Sequence, residues 1–307
     1  MPADENKAAF PLSALVGQQA LKRALLIAAA NPSIGSALVR GTRDAGKRTA
    51  IRGLSSILPN IKAHRGCPVR CPPGPYKPCP ICSEAEKLET VNAPAPLVDI
   101  SITSDMGQLA GRRVDNEPFA GLLGRANQGY AVLDRINLFS EKTLRHIFEV
   151  QEKGVVESDG DMWPAKFVIL ATMNDEEGEL SASLVERFAL CVRVSALTDI
   201  EERLEVIKRV ESYRLDPERF RSHYEREEGE MRARVAEARR LMPRAELSAA
   251  MQKEMERRCS GLRGLKDSAV LRMSQAVLGN AALNGRIWGT SEDVRDVSSF
   301  VLGHLKG

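Results

Sequence analysis

Ser36 to Thr49 reads SALVRGTRDAGKRT, and the rest of the chain is organised around this stretch. A short apolar run, Ala37-Leu38-Val39, leads into Gly41-Thr-Arg-Asp-Ala-Gly46-Lys47, and a helix-compatible segment from Thr49 to Leu58 follows. Strand, glycine-bracketed loop and helix in that order fit the phosphate-binding pattern G-x-x-x-x-G-K-[ST]. In that pattern backbone N–H groups wrap the β-phosphate while the lysine reaches the β- and γ-oxygens. Gly41, Gly46, Lys47, Arg48 and Thr49 are therefore the candidate nucleotide-binding residues. The last position departs: Arg48 stands where a Ser or Thr hydroxyl would coordinate Mg²⁺. Thr49 is next in line, but one residue further along a helix points about 100° away.

Working outward, Phe10 to Ala30 contains a turn at Val16-Gly17 and then a helix with apolar residues at three- and four-residue steps, stopped by Asn31-Pro32. After Leu58 the composition changes. Residues 64–82, HRGCPVRCPPGPYKPCPIC, are rich in Pro and Gly and are expected to form an inserted loop without regular structure. Cys67, Cys71, Cys79 and Cys82 form a C-x3-C pair and a C-x2-C pair separated by a turn-rich spacer, with the reach to close a tetrahedral thiolate site. Zinc is the default metal, and an iron–sulfur cluster uses the same ligands. His64 precedes them as a substitute ligand.

A helix-like Ser83–Thr90 is followed by strands at Leu97–Ile102 and Gly129–Asp134, with a short helix at Phe119–Asn127 between them. An apolar strand closing on Asp134, about ninety residues after a phosphate loop, suits a Mg²⁺-positioning carboxylate. A helix at Glu141–Lys153, a hairpin-like stretch at Glu157–Trp163, a strand from Phe167 to Thr172 running out to Asn174, a helix at Leu184–Phe188 and a strand at Leu190–Val194 complete the pattern. Alternating strands and helices predict an α/β core, a parallel sheet covered by helices on both faces, with its chemistry at the carboxyl ends of the strands. From Asp199 onward only helices are expected, including a long solvated one at Asp216–Leu241. The expected division is residues 1–198 and 199–307.

The 307 residues can bury roughly three quarters of their unfolded surface. A net charge of +3 is too small to make nucleic acid the expected partner. No apolar run approaches the roughly 18 residues that span a bilayer, and Met1–Lys7 lacks a signal-peptide core. A cytoplasmic location is expected, where six cysteines suit metal ligation or free thiols better than disulfides.

Phe10-Pro11 with Val16-Gly17-Gln18, the phosphate loop, the cysteine-rich insert, Gly121-Leu-Leu with Ala126-Asn127, Asp134 with Asn137-Leu138, Asn174 with Glu176-Glu-Gly-Glu-Leu180, Glu186-Arg187-Phe188 and Gly261-Leu-Arg263-Gly264 together resemble the AAA+ ATPase (I) subunit family of magnesium chelatase. The resemblance covers nearly the whole chain. It implies an AAA+ core with a small all-α lid, and assembly into a homo- or hetero-oligomeric ring with other chelatase-type subunits. It also implies ATP bound between neighbours and hydrolysis coupled to Mg²⁺ insertion into protoporphyrin IX by a larger subunit. It gives Lys47 the phosphate, Asp134 the metal, Asn174 the attacking water, Arg187 a neighbour's site in trans, and Arg263 the γ-phosphate from the lid.

Three departures stand against that pattern. Arg48 replaces the metal-ligating hydroxyl, Arg135 replaces the glutamate that polarises water, and the segment between Arg113 and Phe119 is short. A guanidinium cannot accept a proton at any workable pH. The expectation is a subunit that holds ATP or ADP, with or without Mg²⁺, yet hydrolyses it poorly or not at all and acts in assembly. The alternatives are an active motor subunit, or a related module serving a client other than a tetrapyrrole.

Overall fold

The computed structural model of the chain describes residues 9–74, 79–85, 87–262 and 266–305. Helix α1 (Gln19–Ala30) is buried continuously from Ala24 to Ala30. It ends at Asn31, whose side chain accepts from the Ser33 amide ahead of a short turn that begins at Pro32. Strand β1 (Ser36–Gly41) follows and hands the chain to α2 (Lys47–Gly53).

The cysteine-rich insert is bracketed by a hairpin that sequence patterning missed: β2 (Ile61–His64) pairs antiparallel with a strand at Thr90–Ala93. Inside it lies α3 (Pro80–Glu84), so the insert is not wholly irregular. Proline at the first helical position starts this turn, and Ala85 in extended conformation ends it, well short of the helix expected to reach Thr90. The Thr90–Ala93 strand, β3, is followed by β4 (Leu97–Ile100) and by α4 (Met106–Ala110), whose capping box joins Asp105 and Gln108. A second missed hairpin, β5 (Gly111–Val114) and β6 (Glu117–Ala120), places Phe119 in a strand rather than a helix, and α5 is only Leu122–Arg125. The short connection between Arg113 and Phe119 is the turn of this hairpin. Asp115 and Asn116 both have positive φ there, 51° and 67°, as a two-residue primed turn requires.

Next come β7 (Tyr130–Leu133), α6 (Glu141–Lys153), the expected hairpin β8 (Val155–Ser158) with β9 (Asp161–Pro164), β10 (Val168–Asn174), α7 (Ala182–Val185) and β11 (Leu190–Val194). Five strands form one parallel sheet in the order β11-β1-β10-β7-β4. Every residue of β7 and β10 is buried, as parallel strands covered on both faces must be. Their side chains alternate between two cores. Tyr130, Val132, Val168 and Leu170 face α1 and the helical region, while Ala131, Leu133, Ile169 and Ala171 face α6 and the insert.

The helical region comprises α8 (Ile200–Leu215), α9 (Pro217–Leu241), α10 (Ala249–Cys259), α11 (Lys266–Leu283) and α12 (Ser291–Leu302). The start of α12 is fixed by Asp293, a fully buried carboxylate bonded to Arg286, Asn280 and Thr290. Burial alone would raise its pKa, but Arg286 and Thr290 bring it below the usual carboxylate range. Helix α9 is charged and yet not simply solvated. Its Glu228 is 2% exposed and accepts from the Ser13 amide at 2.7 Å and from the Ser56 hydroxyl. Further along, Arg232 donates to Ser56 O at 2.8 Å, while Arg239 donates to Ala29 O at 2.8 Å and to the Tyr130 hydroxyl at 3.0 Å.

Replacing Glu228 by Ala leaves the Ser13 amide without its acceptor and removes one of the two acceptors of the Ser56 hydroxyl, the other being Gly53 O at 2.8 Å. Denaturant unfolding of the Glu228→Ala variant is expected to show a loss of about 2–4 kcal/mol.

Candidate functional site

The site lies along the carboxyl edge of the sheet. Gly41 leaves β1 with φ 144°, and a Cβ there would sit 1.8 Å from Val194 O, so no other residue fits. Asp44 and Gly46 follow in the left-handed region, at 59° and 78°, and turn the chain into α2. Lys47 is 6% exposed, and its Nζ donates to Gly41 O at 2.9 Å and Thr42 O at 2.5 Å. Burial lowers its pKa, while the charges of Asp175, Asp134, Glu176 and Glu177 oppose that shift. This closed loop, with a cation folded over its mouth, matches the donor set that nucleotide phosphates require.

Asp134 follows β7 directly. Thr172 on β10 donates its hydroxyl to Asp134 Oδ1 at 2.6 Å and accepts from the Arg135 amide at 2.9 Å, which fixes the carboxylate. The other oxygen, Oδ2, meets Arg48 Nη1 at 3.5 Å. Arg48, not Thr49, therefore takes the place beside Asp134 where a metal-bound hydroxyl would sit. A guanidinium there does not suit a divalent cation, since it repels the ion and donates where a ligand must accept. Arg135 adopts φ 55°, and its guanidinium lies 3.9 Å from Glu177 Oε1. Glu177 Oε2 is buried without a hydrogen-bond partner. Asn174 closes β10 opposite Gly41 and is 7% exposed. Asp175 beside it is paired with Arg40 and Arg193, each at 3.0 Å.

Against the outer side of the phosphate loop opens a cavity of about 1280 Å³, lined by Leu15, Val16, Asp44, Gly46, Thr49, Leu197, Arg203, Ile207 and Tyr213 among others. Loop backbone on one side and an apolar wall on the other suit a ligand with a charged end and a flat apolar end. The wall from α8 was missed in the sequence. The signal for it was Asp199, the N-cap of α8, followed by Val206, Ile207, Val210 and Tyr213 at helical spacing.

Arg187 lies beyond α7, outside this cluster. It pairs with Glu152 at 2.9 Å and stacks over the Phe148 ring at 5.5 Å. The next residue, Phe188, offers its carbonyl to Arg272 at 3.4 Å and to His304 Nε2 at 3.0 Å. Arg263 lies outside the described residues.

The four cysteines come together on the other side of the core. Their Sγ atoms all lie within 4.8 Å of one another, with Cys67 half-buried and Cys71, Cys79 and Cys82 buried. Hydrogen bonds from Cys71 and Cys79 lower the Cys67 thiol to about 2, its proximity raises Cys71 and Cys79, and burial lifts Cys82 to about 12. His64 is not part of the group.

A family profile described as magnesium chelatase, subunit ChlI, matches residues 11–179. The magnesium-chelatase subunit ChlI homolog of Methanocaldococcus jannaschii is 34% identical across 96% of this chain and 85% of its own length. The chain belongs to the magnesium chelatase ChlI family. The 38 kDa magnesium-chelatase subunit of Cereibacter sphaeroides, a ChlI-family relative, is 35% identical over 97% of this chain and 92% of that one. Among solved structures, a chain from the complex between subunits BchI and BchD of magnesium chelatase, built into a single-particle cryo-EM reconstruction, aligns with TM-score 0.57. It is 32% identical and covers 97% of this chain and 96% of that chain. A protein from Cytophaga hutchinsonii aligns at TM-score 0.66 and 18% identity over 96% of this chain and 84% of its own, and shows the fold alone. Among the described residues no helix is long and apolar enough to cross a membrane.

Burial holds the His304 pKa down at about 4, helped by Arg272 and Arg40, so the ring is neutral when folded and donates Nε2–H to Phe188 O. The unfolded chain, with an ordinary histidine, binds the extra proton between about pH 4 and 6.5, so stability falls as pH drops through that window. Thermal denaturation at pH 7.5 and 5 is expected to show a smaller acid-induced loss for His304→Gln than for the unchanged protein.

Proposed function

We propose that this ChlI-family protein is a nucleotide-binding AAA+ subunit of a chelatase-like ring whose own site grips ATP or ADP and hydrolyses it poorly or not at all. The observation that carries this reading is the Arg48–Asp134 pair at 3.5 Å, which puts a tethered cation where the family pattern calls for Mg²⁺ and its hydroxyl ligand. Gly41, Gly46, Lys47 and the loop amides cradle the phosphates, Thr49 and the α8 wall flank the nucleoside end, and the Arg48 guanidinium adds positive charge without a metal. Asn174 orients water, but Arg135 cannot take its proton. Loss of a general base costs about 10²–10⁴ in rate. Arg187 and Arg263 act toward phosphate charge, Arg187 in a neighbouring subunit's site. The named relatives and the BchI–BchD neighbour support a place among chelatase-type subunits that insert Mg²⁺ into a porphyrin. The four cysteines are read as a metal site.

A second reading, an active ATPase, is favoured by one observation: the buried Oε2 of Glu177 has no hydrogen-bond partner, on a carboxylate whose other oxygen lies 3.9 Å from Arg135. It would stand in for the missing glutamate as proton acceptor.

Two measurements separate these readings. Fluorescent ATP and ADP analogues are expected to bind the purified protein equally well, within a few-fold, in EDTA and in Mg²⁺, with negligible phosphate release. Arg48→Thr with Arg135→Glu is expected to make binding Mg²⁺-dependent and to raise turnover by about 10² or more. Turnover of the unchanged protein on the order of one per second or faster, abolished by Glu177→Gln, establishes the second reading instead.

A further inference from the structure

We infer that Cys67, Cys71, Cys79 and Cys82 bind a single zinc ion as a closed tetrathiolate site, and that this ion sets the platform on which the two surface hairpins stand. The inference rests on the metal reading of these cysteines and goes beyond it in naming the ion, its nuclearity and its task.

Geometry fixes the nuclearity. A tetrahedral site with Zn–S bonds of about 2.3 Å has sulfur–sulfur edges of about 3.8 Å. Here Cys67 Sγ and Cys79 Sγ are 3.7 Å apart, and no pair among the four exceeds 4.8 Å. An iron–sulfur cluster places several metal centres and bridging sulfides between its thiolates, which spreads them wider than that. The donor set is all sulfur and leaves no open position, so the site is structural rather than catalytic, and soft thiolates in a tetrahedron select zinc over harder cations.

The surroundings are those of a ligated thiolate cluster. The Cys71 amide donates to Cys67 Sγ at 3.3 Å and the Cys79 amide to Cys71 Sγ at 3.4 Å, so backbone dipoles already point at the sulfurs. Two short pieces of chain supply the ligands in pairs, the turn at 64–71 and the start of α3, and Pro72, Pro73 and Gly74 between them add no apolar side chain of their own to the core. Four thiolates brought this close without a cation repel one another, and metal binding supplies the folding energy that such a segment lacks.

The cluster is also wired into what lies around it. Asn127 Nδ2 holds Val69 O at 2.9 Å, and Gln128 Nε2 holds Arg70 O at 2.5 Å, which ties the first ligand turn to the chain just before β7. The cysteines share a core with Leu123, Ala120 and Trp163, and α3 packs against β9. Strand β9 in turn carries Asp161, which clasps Arg113 of β5 with two bonds of 2.9 Å, while Ser158 donates to Gly111 O at 2.8 Å. The β5–β6 and β8–β9 hairpins thus form one unit with the cysteine loop beneath it.

The test uses the full-length protein purified reduced from zinc-supplemented medium. Elemental analysis is expected to give one zinc per chain and no iron or sulfide. Cobalt replacement is expected to give the intense thiolate charge-transfer and d–d bands of a tetrahedral site, and Cys67→Ser to lower zinc affinity at least about a hundredfold. Hydrogen exchange after zinc removal by a mercurial is expected to accelerate in 61–93, 111–120 and 155–164, while fluorescent nucleotide still binds the phosphate loop. Absence of any bound metal overturns the metal reading itself. Iron in place of zinc, or a cobalt spectrum that is not tetrahedral thiolate, overturns the assignment of the ion, and unchanged exchange in both hairpins overturns its task.

Discussion

Strand β1 is confined between β10 and β11, and the chain must leave that sheet where there is no room for a side chain. A methyl group at Gly41 would overlap the carbonyl oxygen of Val194. The turn it permits carries residues 42–46 around the loop and brings Lys47 back over the carbonyls of Gly41 and Thr42. Asp134 and Asn174 end on the same edge because their strands are in parallel register with β1 and with each other. The close contact at Gly41 thus places the loop and Lys47, and the parallel register places the two strand-end residues beside them.

The two arginines that distinguish this site are held loosely. The Arg48 side chain is 54% exposed and that of Arg135 45% exposed, at 3.5 and 3.9 Å from their carboxylates. Ion pairs this open to water contribute at most about 1 kcal/mol and are screened by salt. They hold the two guanidiniums beside Asp134 and Glu177 without locking them in place. The Thr172 hydroxyl on Asp134, at 2.6 Å, is the firmer contact, and it leaves the carboxylate's other oxygen to Arg48.

Much of this was readable from residue pattern, for a physical reason. Runs such as Phe167–Thr172 are apolar on both faces, which only a strand inside a covered parallel sheet tolerates. The β2–β3 and β5–β6 hairpins escaped because four residues are too few for a period-two pattern to stand out, as in Ile61–His64, whose signal is only two apolar positions. Asp115-Asn116 carries a turn signal, but Phe119, Leu122, Leu123 and Ala126 have helical spacing. Thr172 and Glu177 were beyond reach of pattern, since their roles arise from side-chain neighbours on other strands and loops. The cysteine spacing announced a cluster, while its distances came only with the fold.

Helix α9 has a mechanical consequence. Its 25 residues span about 38 Å, and along that length it grips the N-terminal segment and the end of α2 through Glu228 and Arg232, then α1 and β7 through Arg239. A lid hinged at one point swings by straining a loop. Here, a rotation of the helical region against the sheet breaks several part-buried polar contacts together. Such a rod is a brace rather than a hinge: it ties the helical region to the N-terminal segment, to the turn after α2, to α1 and to β7 at separate points along its length.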